Sequence, residues 1–189
     1  MTKYLLHGGA TRNESADNTN FFKEIVKELP SNITILGVYF ACPEDTWAER
    51  FEFFKERLIR ESGRADIRFV LAESDLTVFV NQIKEADVVY LHGGETPLLK
   101  EKLSKVNNLA ELFKGKVVVG SSAGVYVLSK YYYSNDYDNI FEGLGILLIK
   151  SFCHYDDSKK EKLELLKKYK DDLPVYAIPE EKFFIIEKS

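Results

Sequence analysis

Residues 116–129 read KVVVGSSAGVYVLS, and the interpretation of the whole chain starts from this stretch. The β-branched run at residues 117–119 is short and apolar, which is typical of a buried parallel strand. It leads into Gly-x-Ser-x-Gly, with Ser122 at the centre, and then into an apolar segment of helical character. A sharp strand-to-helix turn exposes the serine hydroxyl, and the flanking glycines leave room for that turn. The stretch therefore predicts a nucleophile elbow.

The same turn predicts a place where negative charge is stabilised. The first free N–H groups of the following helix, starting with Ala123, point toward whatever lies beside the serine oxygen. The positive end of the helix dipole favours an oxyanion there. The alternative interpretation is purely structural, with small residues that let a strand and a helix pack closely.

Strands and helices are predicted to alternate before the elbow. Apolar runs predict four strands, at residues 4–7, 33–41, 67–72 and 87–92. Segments with helical apolar spacing separate these runs, and the connections are short. The order predicts one α/β domain over residues 1–189, built on a mostly parallel, doubly wound sheet with helices on both faces.

Capping residues predict where two of these helices begin. Asp17 or Asn18 is expected to cap the first helix. Thr96 is expected to be the N-cap of the fourth, with Pro97 at the first helical position, and that helix is expected to run to about Phe113.

Three histidines fall at predicted strand ends. His7 and His92 each close a strand and precede Gly-Gly, and His154 follows the apolar run at residues 146–153. Because ligands bind beyond the carboxyl ends of parallel strands, all three are candidates for the edge that carries Ser122. The spacing leaves the choice of a catalytic base open. It does not call for a zinc site, so we expect no metal.

The chain after the elbow has weaker periodicity. The tyrosines at residues 131–133 favour a packed β-segment over an exposed cluster, because aromatic side chains suit strands. Residues 158–169 predict a charged helix, and strands are expected at residues 175–178 and 183–186.

Composition excludes several classes of protein. The 189 residues carry a formal net charge of −4 with scattered Lys and Arg, which argues against a nucleic-acid partner. Cys42 and Cys153 are too few for a disulfide framework. With no run of eighteen apolar residues and no signal-peptide pattern, we expect a cytoplasmic protein with no membrane partner.

Four motifs in order resemble the S51 serine peptidases, the aspartyl dipeptidase and cyanophycinase group. They are the elbow at residues 120–124, His-Gly-Gly-Glu-Thr at 92–96, Gly-Leu-Gly-Ile-Leu at 143–147 leading to His154-Tyr155, and Ala-Ile-Pro-Glu at 177–180. The resemblance covers most of the chain and implies a fold like that of class I glutamine amidotransferases.

Matching positions imply roles for five residues. The nucleophile falls on Ser122, the base on His154 and the acid on Glu180, while the oxyanion donors are the N–H groups of Gly94 and Ala123. Another acidic position of the dipeptidases matches Asp136, which is the alternative acid.

The sequence departs from the family pattern at two places. Glu95 stands where the family usually has Asn, beside the expected oxyanion hole. The segment after the histidine is short and carries lysines in place of arginines, so selectivity for an N-terminal Asp is open. Possible substrate-lining residues are therefore His7, His92, Glu95, Lys159 and Lys160.

These observations predict a serine peptidase that cleaves short peptides through an acyl-enzyme. It needs no cofactor, its expected partner is a small peptide substrate, and its oligomeric state is left open. Two alternatives are an esterase of the α/β-hydrolase type and a non-catalytic binding or sensor protein on the same fold.

Overall fold

Strands and helices alternate up to the elbow, as the sequence predicts. The computed structural model describes residues 1–188. Through the elbow, the elements are β1 Thr2–His7, α1 Ala16–Ile25, β2 Ile33–Val38, α2 Trp47–Ser62, β3 Ile67–Leu71, α3 Leu76–Glu85, β4 Val88–Leu91, α4 Thr96–Ser104, α5 Leu109–Leu112, β5 Val117–Ser121 and α6 Ala123–Leu128. Those that follow are β6 Ser129–Ser134, β7 Asn139–Glu142, β8 Leu147–Cys153, α7 Lys160–Lys168, β9 Val175–Ile178 and β10 Phe183–Lys188.

The main sheet has six strands in the order β10-β1-β5-β4-β2-β3. Its strands β1 to β5 pair in parallel, and β10 joins the edge antiparallel to β1. The elbow strand β5 lies between β1 and β4, so their carboxyl ends surround it. Chemistry at the end of β5 can therefore draw on the loops that follow β1 and β4.

Both faces of the central strands of this sheet are buried. Val118 and Val89 point into one core cluster, which is covered by α3, α4 and α6. Val117, Val119 and Tyr90 point into another cluster, under α1 and α2. Because successive side chains on a strand face opposite ways, a continuous apolar run such as β5 needs helices on both sides. This is the doubly wound arrangement predicted from the sequence.

A second sheet follows the elbow, with strand order β7-β6-β8-β9. The predicted tyrosine segment is its strand β6. Tyr131 and Tyr133 pack against Phe152 and against Leu163 and Leu166 of α7. The tyrosines are therefore a packed β-segment, as predicted, but the sequence pattern does not separate this sheet from the first.

Some helix boundaries differ from the predicted ones. Ser15 caps α1, because its side-chain oxygen accepts the Asn18 N–H at 3.2 Å. Thr96 lies inside α4 and Glu95 is the N-cap, without a side-chain capping bond. The predicted long helix is two helices, because Asn108 adopts a left-handed backbone conformation (φ 55°) between α4 and α5.

Every helix among residues 1–188 is too short or too polar to cross a membrane.

Candidate active site

Ser122 occupies the turn between β5 and α6 in a strained backbone conformation. Its φ of 48° and ψ of −103° lie in a region that side-chain-bearing residues rarely adopt. A Cβ on Gly124 would lie 2.3 Å from the Leu91 carbonyl oxygen, and one on Gly120 would lie 2.7 Å from the Gly124 backbone. The glycines are therefore required by close backbone approach, which is the geometry of an elbow.

The Ser122 hydroxyl is joined to a histidine and a carboxylate. Ser122 Oγ lies 2.9 Å from His154 Nε2, and His154 Nδ1 lies 2.8 Å from Glu180 Oε1. A carboxylate only accepts hydrogen bonds, so Nδ1 of His154 carries a hydrogen. In a neutral ring, Nε2 is then an acceptor for the serine proton. The side chains of His154 and Glu180 are 35% and 56% exposed, so a substrate and water can reach them.

The loop after β1 supports both partners of Ser122. A Cβ on Gly9 would lie 2.1 Å from Cε1 of His154, so the imidazole packs directly on the Gly9 backbone. The His154 N–H donates to the Gly8 carbonyl oxygen at 3.0 Å. The loop that carries Glu180 is held in the same way, because the Glu181 N–H donates to the Gly9 carbonyl oxygen at 3.0 Å.

A buried pair of side chains holds that loop in turn. The Gly9 N–H donates to Nδ1 of His7 at 3.1 Å, so His7 Nε2 carries the hydrogen and donates to Asn18 Oδ1 at 2.9 Å. The Asn18 amide nitrogen donates to the Ala10 and Asn13 carbonyl oxygens. Burial lowers the pKa of His7 to about 4, which keeps the ring neutral. The sequence offers His7 as a substrate-lining residue, but its side chain is fully buried and supports the loop.

The structure does not bring Asp136 to the histidine. Asp136 is exposed in the turn between β6 and β7, and no hydrogen bond among residues 1–188 joins it to His154. The neighbouring Asn135 side chain instead donates to the Cys153 carbonyl oxygen at 3.2 Å. In this structure Glu180, and not Asp136, occupies the Nδ1 side of the ring.

Neither predicted lysine reaches the cavity beside Ser122. Lys159 bonds backward to the His154 carbonyl oxygen and pairs with Asp156 at 2.9 Å. Lys160 is exposed as the first residue of α7. Neither lysine is among the residues that line this cavity, because Lys159 is paired within its own turn and Lys160 begins an exposed helix.

The cavity beside Ser122 has a volume of about 430 Å³. Its walls include the predicted residues His92, Gly94, Glu95 and His154. Its other lining residues, which the sequence motifs do not single out, are Gly9, Ala10, Thr11, Arg12, Ala41, Cys42, Pro43, Arg50, Gly93 and Ser121.

Arg12 and Arg50 give this cavity a positive wall. Within residues 1–188 neither guanidinium forms a salt bridge, whereas Arg57, Arg60 and Arg64 all do. Arg12 lies over the ring of Phe53 at 5.2 Å, and Arg50 Nε donates to the Thr46 hydroxyl at 3.1 Å. The only sequence signal for Arg12 is its place a few residues beyond the end of β1. Arg50 lies in a helix, where spacing alone cannot reveal a role.

Glu95 lies at the rim of the cavity. It is exposed, and its carboxylate accepts a hydrogen bond from the Tyr137 hydroxyl at 3.1 Å. Tyr137 belongs to the turn between β6 and β7, so this bond joins the second sheet to the loop that contains Gly94.

The two expected oxyanion donors are free. Within residues 1–188, the N–H groups of Gly94 and Ala123 donate to no protein acceptor. Ala123 is the first residue of α6, where a helix leaves its N–H groups unpaired. Gly94 has φ 139°, and a Cβ there would lie 2.3 Å from the Ala41 carbonyl oxygen. Only glycine fits that position without displacing backbone.

His92 and Cys42 lie together behind the Gly93-Gly94 backbone. Nδ1 of His92 lies 2.6 Å from the Gly93 carbonyl oxygen, and the Cys42 sulfur donates to the same oxygen at 3.3 Å. Burial lowers the pKa of His92 to about 4 and raises the pKa of the Cys42 thiol. Neither group is therefore charged near neutral pH.

Among residues 1–188, no group of three or more His, Cys, Asp or Glu side chains is arranged to hold a metal ion.

The sequence model of peptidase family S51 matches residues 5–189. The chain belongs to peptidase family S51. As a member of S51 it is a serine peptidase, and therefore a hydrolase. No match to the sequence occurs among curated proteins.

Two solved structures are similar to this S51 peptidase in fold. One is a peptidase from an acI-B1 Actinobacterium, with 21% identity and a TM-score of 0.67 over 99% of this chain and 84% of that chain. The other is a candidate peptidase E protein from Listeria monocytogenes EGD-e, with 17% identity and a TM-score of 0.64 over all of both chains. At these identities the similarity supports the fold alone.

Proposed function

We propose that this S51 peptidase hydrolyses short peptides through a triad of Ser122, His154 and Glu180. The observation that carries the proposal is the continuous pair of hydrogen bonds from Ser122 Oγ through the imidazole to Glu180, at 2.9 Å and 2.8 Å. A serine hydroxyl is a weak nucleophile until a base accepts its proton, and the base works best when a carboxylate holds its tautomer.

The geometry suggests the following cycle. Ser122 Oγ attacks the scissile carbonyl carbon while its proton passes to Nε2 of His154. Glu180 accepts from Nδ1–H and stabilises the imidazolium. The N–H groups of Gly94 and Ala123 bind the oxyanion of the tetrahedral intermediate. His154 then protonates the leaving amine, and a water molecule, activated by the same ring, releases the acyl group from Ser122.

The cavity favours short peptides that carry a carboxylate. A volume of about 430 Å³ lies within the range of small-ligand sites, so only a residue or two can be enclosed. Arg12 and Arg50 have no carboxylate partner among residues 1–188, and a guanidinium matches the geometry of a carboxylate. A substrate carboxylate would provide the missing partner.

Two other functions were open at the level of sequence. An esterase of the α/β-hydrolase type places its acid before its histidine, whereas Glu180 follows His154. A non-catalytic sensor would need Glu95 to disable the oxyanion hole. The bond from Tyr137 directs the Glu95 carboxylate to the rim, which favours turnover.

A fluorophosphonate probe tests the proposal directly. We expect the wild-type protein to be labelled and Ser122→Ala to be unlabelled, with peptide hydrolysis reduced about 10⁶-fold. Ser121→Ala is the matched control, because it removes the neighbouring hydroxyl of the same turn, and it should still be labelled. A folded wild-type protein that resists labelling, or labelling that survives in Ser122→Ala, would overturn the triad.

A further inference from the structure

The carbonyl group of Gly93 is held by two donors from different parts of the chain. His92 Nδ1 lies 2.6 Å from this oxygen and Cys42 Sγ lies 3.3 Å from it. A carbonyl oxygen can only accept, so Nδ1 of His92 must carry the hydrogen, and the thiol hydrogen points the same way. The 3.6 Å approach of Cys42 Sγ to His92 Nδ1 therefore joins two donors and is not a nucleophile–base pair.

The direction of this carbonyl sets the direction of the next N–H. Residues 1–188 contain no cis peptide bond, so the link between Gly93 and Gly94 is trans and planar. In such a unit the C=O and the following N–H point in opposite directions. Because the Gly93 oxygen faces Cys42 and His92, the Gly94 N–H faces away from them.

Gly93 and Gly94 lie beside the turn that carries the nucleophile, and they line the same cavity as Ser122. A Cβ on Gly93 would lie 3.4 Å from Ser122 Cβ and 3.3 Å from the Ser121 carbonyl oxygen. The Gly94 N–H has no acceptor among residues 1–188. A free donor therefore borders the cavity beside the serine.

The two donors are themselves held firmly. The His92 ring stacks on Tyr39 with centroids 4.6 Å apart, and its backbone N–H donates to the Val38 carbonyl oxygen at 3.0 Å. Cys42 follows β2, and its N–H donates to the Tyr39 carbonyl oxygen at 2.8 Å. The Glu95 N–H donates to the Ala41 carbonyl oxygen at 2.8 Å, which fixes the far end of the Gly93-Gly94 segment. The segment has little freedom to rotate while these bonds hold.

We propose that His92 and Cys42 are positioning residues, which hold the Gly93 carbonyl so that the Gly94 N–H is aimed at the oxyanion formed on Ser122. This inference rests on the proposed function. It assigns the two side chains a role in transition-state stabilisation without contact with the reacting atoms.

The test measures two quantities for each variant. One is the rate of fluorophosphonate labelling at saturating probe, and the other is the probe concentration that gives half of that rate. The phosphonyl oxygen of the adduct occupies the oxyanion position. Loss of one oxyanion donor costs about 10²–10³-fold in rate, so His92→Leu, which misaims the donor, should lower the maximal rate about 10–100-fold. The half-saturating concentration should change less than about twofold, because initial binding does not use the oxyanion hole.

Conservative variants distinguish positioning from a general loss of structure. Asn can place an N–H near the position of His Nδ1, so His92→Asn should recover most of the labelling rate. Cys42→Ser keeps a hydrogen-bond donor, so its maximal labelling rate should exceed that of Cys42→Ala. On any peptide that the wild-type protein cleaves, the variants with a low maximal labelling rate should also show a lower kcat with an unchanged KM.

The outcomes separate this inference from the triad. If the wild-type protein is labelled and His92→Leu reacts at the same maximal rate, the positioning role is wrong while the triad stands. If the wild-type protein is not labelled, the proposed function itself fails. Should His92→Leu not fold, equal maximal rates for Cys42→Ala and Cys42→Ser, with no loss in either, would overturn the inference.

Discussion

The acid of the proposed triad is more exposed than the serine. Glu180 follows β9 in a surface turn, and its side chain is 56% exposed. Its work is to hold Nδ1–H of His154, which orients the ring and supports the imidazolium. Water competes for an exposed carboxylate, so its electrostatic contribution is smaller than that of a buried triad acid.

Replacement of this acid provides the first prediction. Loss of a buried triad acid costs about 10⁴-fold in kcat, and the exposure of Glu180 reduces this for Glu180→Gln to about 10²–10³-fold. Steady-state hydrolysis of a cleaved peptide measures the effect. Asp136→Asn is the control, because its carboxylate lies in solvent, and it should keep wild-type activity. The assignment of the acid would be reversed if Asp136→Asn were the more damaging change.

At the scale of elements, the elbow depends on how closely α6 approaches β4. Gly124, the second residue of α6, lies against the Leu91 carbonyl oxygen, where a Cβ would lie only 2.3 Å away. That atom is backbone within the sheet and cannot move aside cheaply. The serine is therefore presented by a packed helix–strand contact as well as by its own turn.

Gly124→Ala should consequently destabilise the fold. We expect a loss of about 2–3 kcal/mol in the free energy of unfolding, the usual cost of overpacking. Gly63→Ala is the comparison, because a Cβ there would meet no atom within 4 Å. It would strain only a left-handed backbone (φ 69°), at a cost of about 1 kcal/mol. Urea unfolding measures both. Equal losses would show that steric contact at Gly124 is unimportant.

The loop after β1 and the first turn of α2 together form the positive wall of the cavity. Arg12→Gln and Arg50→Gln should each lower kcat/KM about 10–100-fold on a peptide with a carboxylate, because a hydrogen bond to a charged group contributes about 1.5–3 kcal/mol. On a matched peptide whose carboxylate is amidated, the same variants should show little loss of kcat/KM. Arg68→Gln is the control, because Arg68 on β3 lines a different surface depression. Similar losses on both peptides would contradict a carboxylate-binding wall.

At the scale of the molecule, the proposed triad joins two sheets. Ser122 follows β5 of the main sheet, His154 follows β8 of the second sheet, and Glu180 lies in the connection from β9 to β10 that links them. The loop after β1 contacts both His154 and the connection that carries Glu180, through Pro179 and Glu181. Separation of the sheets would therefore part the base from the nucleophile without breaking the elbow.

Two buried neutral histidines make stability depend on pH. Burial lowers the folded-state pKa of both His7 and His92 to about 4, against about 6.5 when unfolded. Between these values the unfolded chain binds more protons, so the full stabilisation is present above the unfolded pKa and is lost as pH falls. As the pH falls from about 7.5 to about 5, we expect each histidine to lower the free energy of unfolding by about 2 kcal/mol.

Urea unfolding across this range measures the effect. His7→Asn should be less stable at neutral pH, yet its stability should depend on pH only about half as steeply in this window. An unchanged slope in that variant would mean that His7 is not buried as a neutral ring.

Local patterns predict a large part of this fold. The β-branched run, the flanking glycines and the strand–helix alternation specify the elbow and the doubly wound sheet, because these features depend on neighbouring residues. Boundaries are less predictable, since the cap at Ser15 and the left-handed backbone at Asn108 depend on how each end is packed. The sequence does not predict the second sheet as a separate sheet, because its strands carry mixed polar and aromatic residues.

The sequence by itself determined the serine elbow and, through four motifs that resemble a family, the residues to place around it. Only the tertiary structure decided that Glu180 and not Asp136 meets His154, that Arg12 and Arg50 line the cavity, and that two side chains clamp the Gly93 carbonyl. The reason is physical. Turn geometry and periodicity are local properties of a chain, whereas these contacts join segments that meet only after strand order and helix packing are complete.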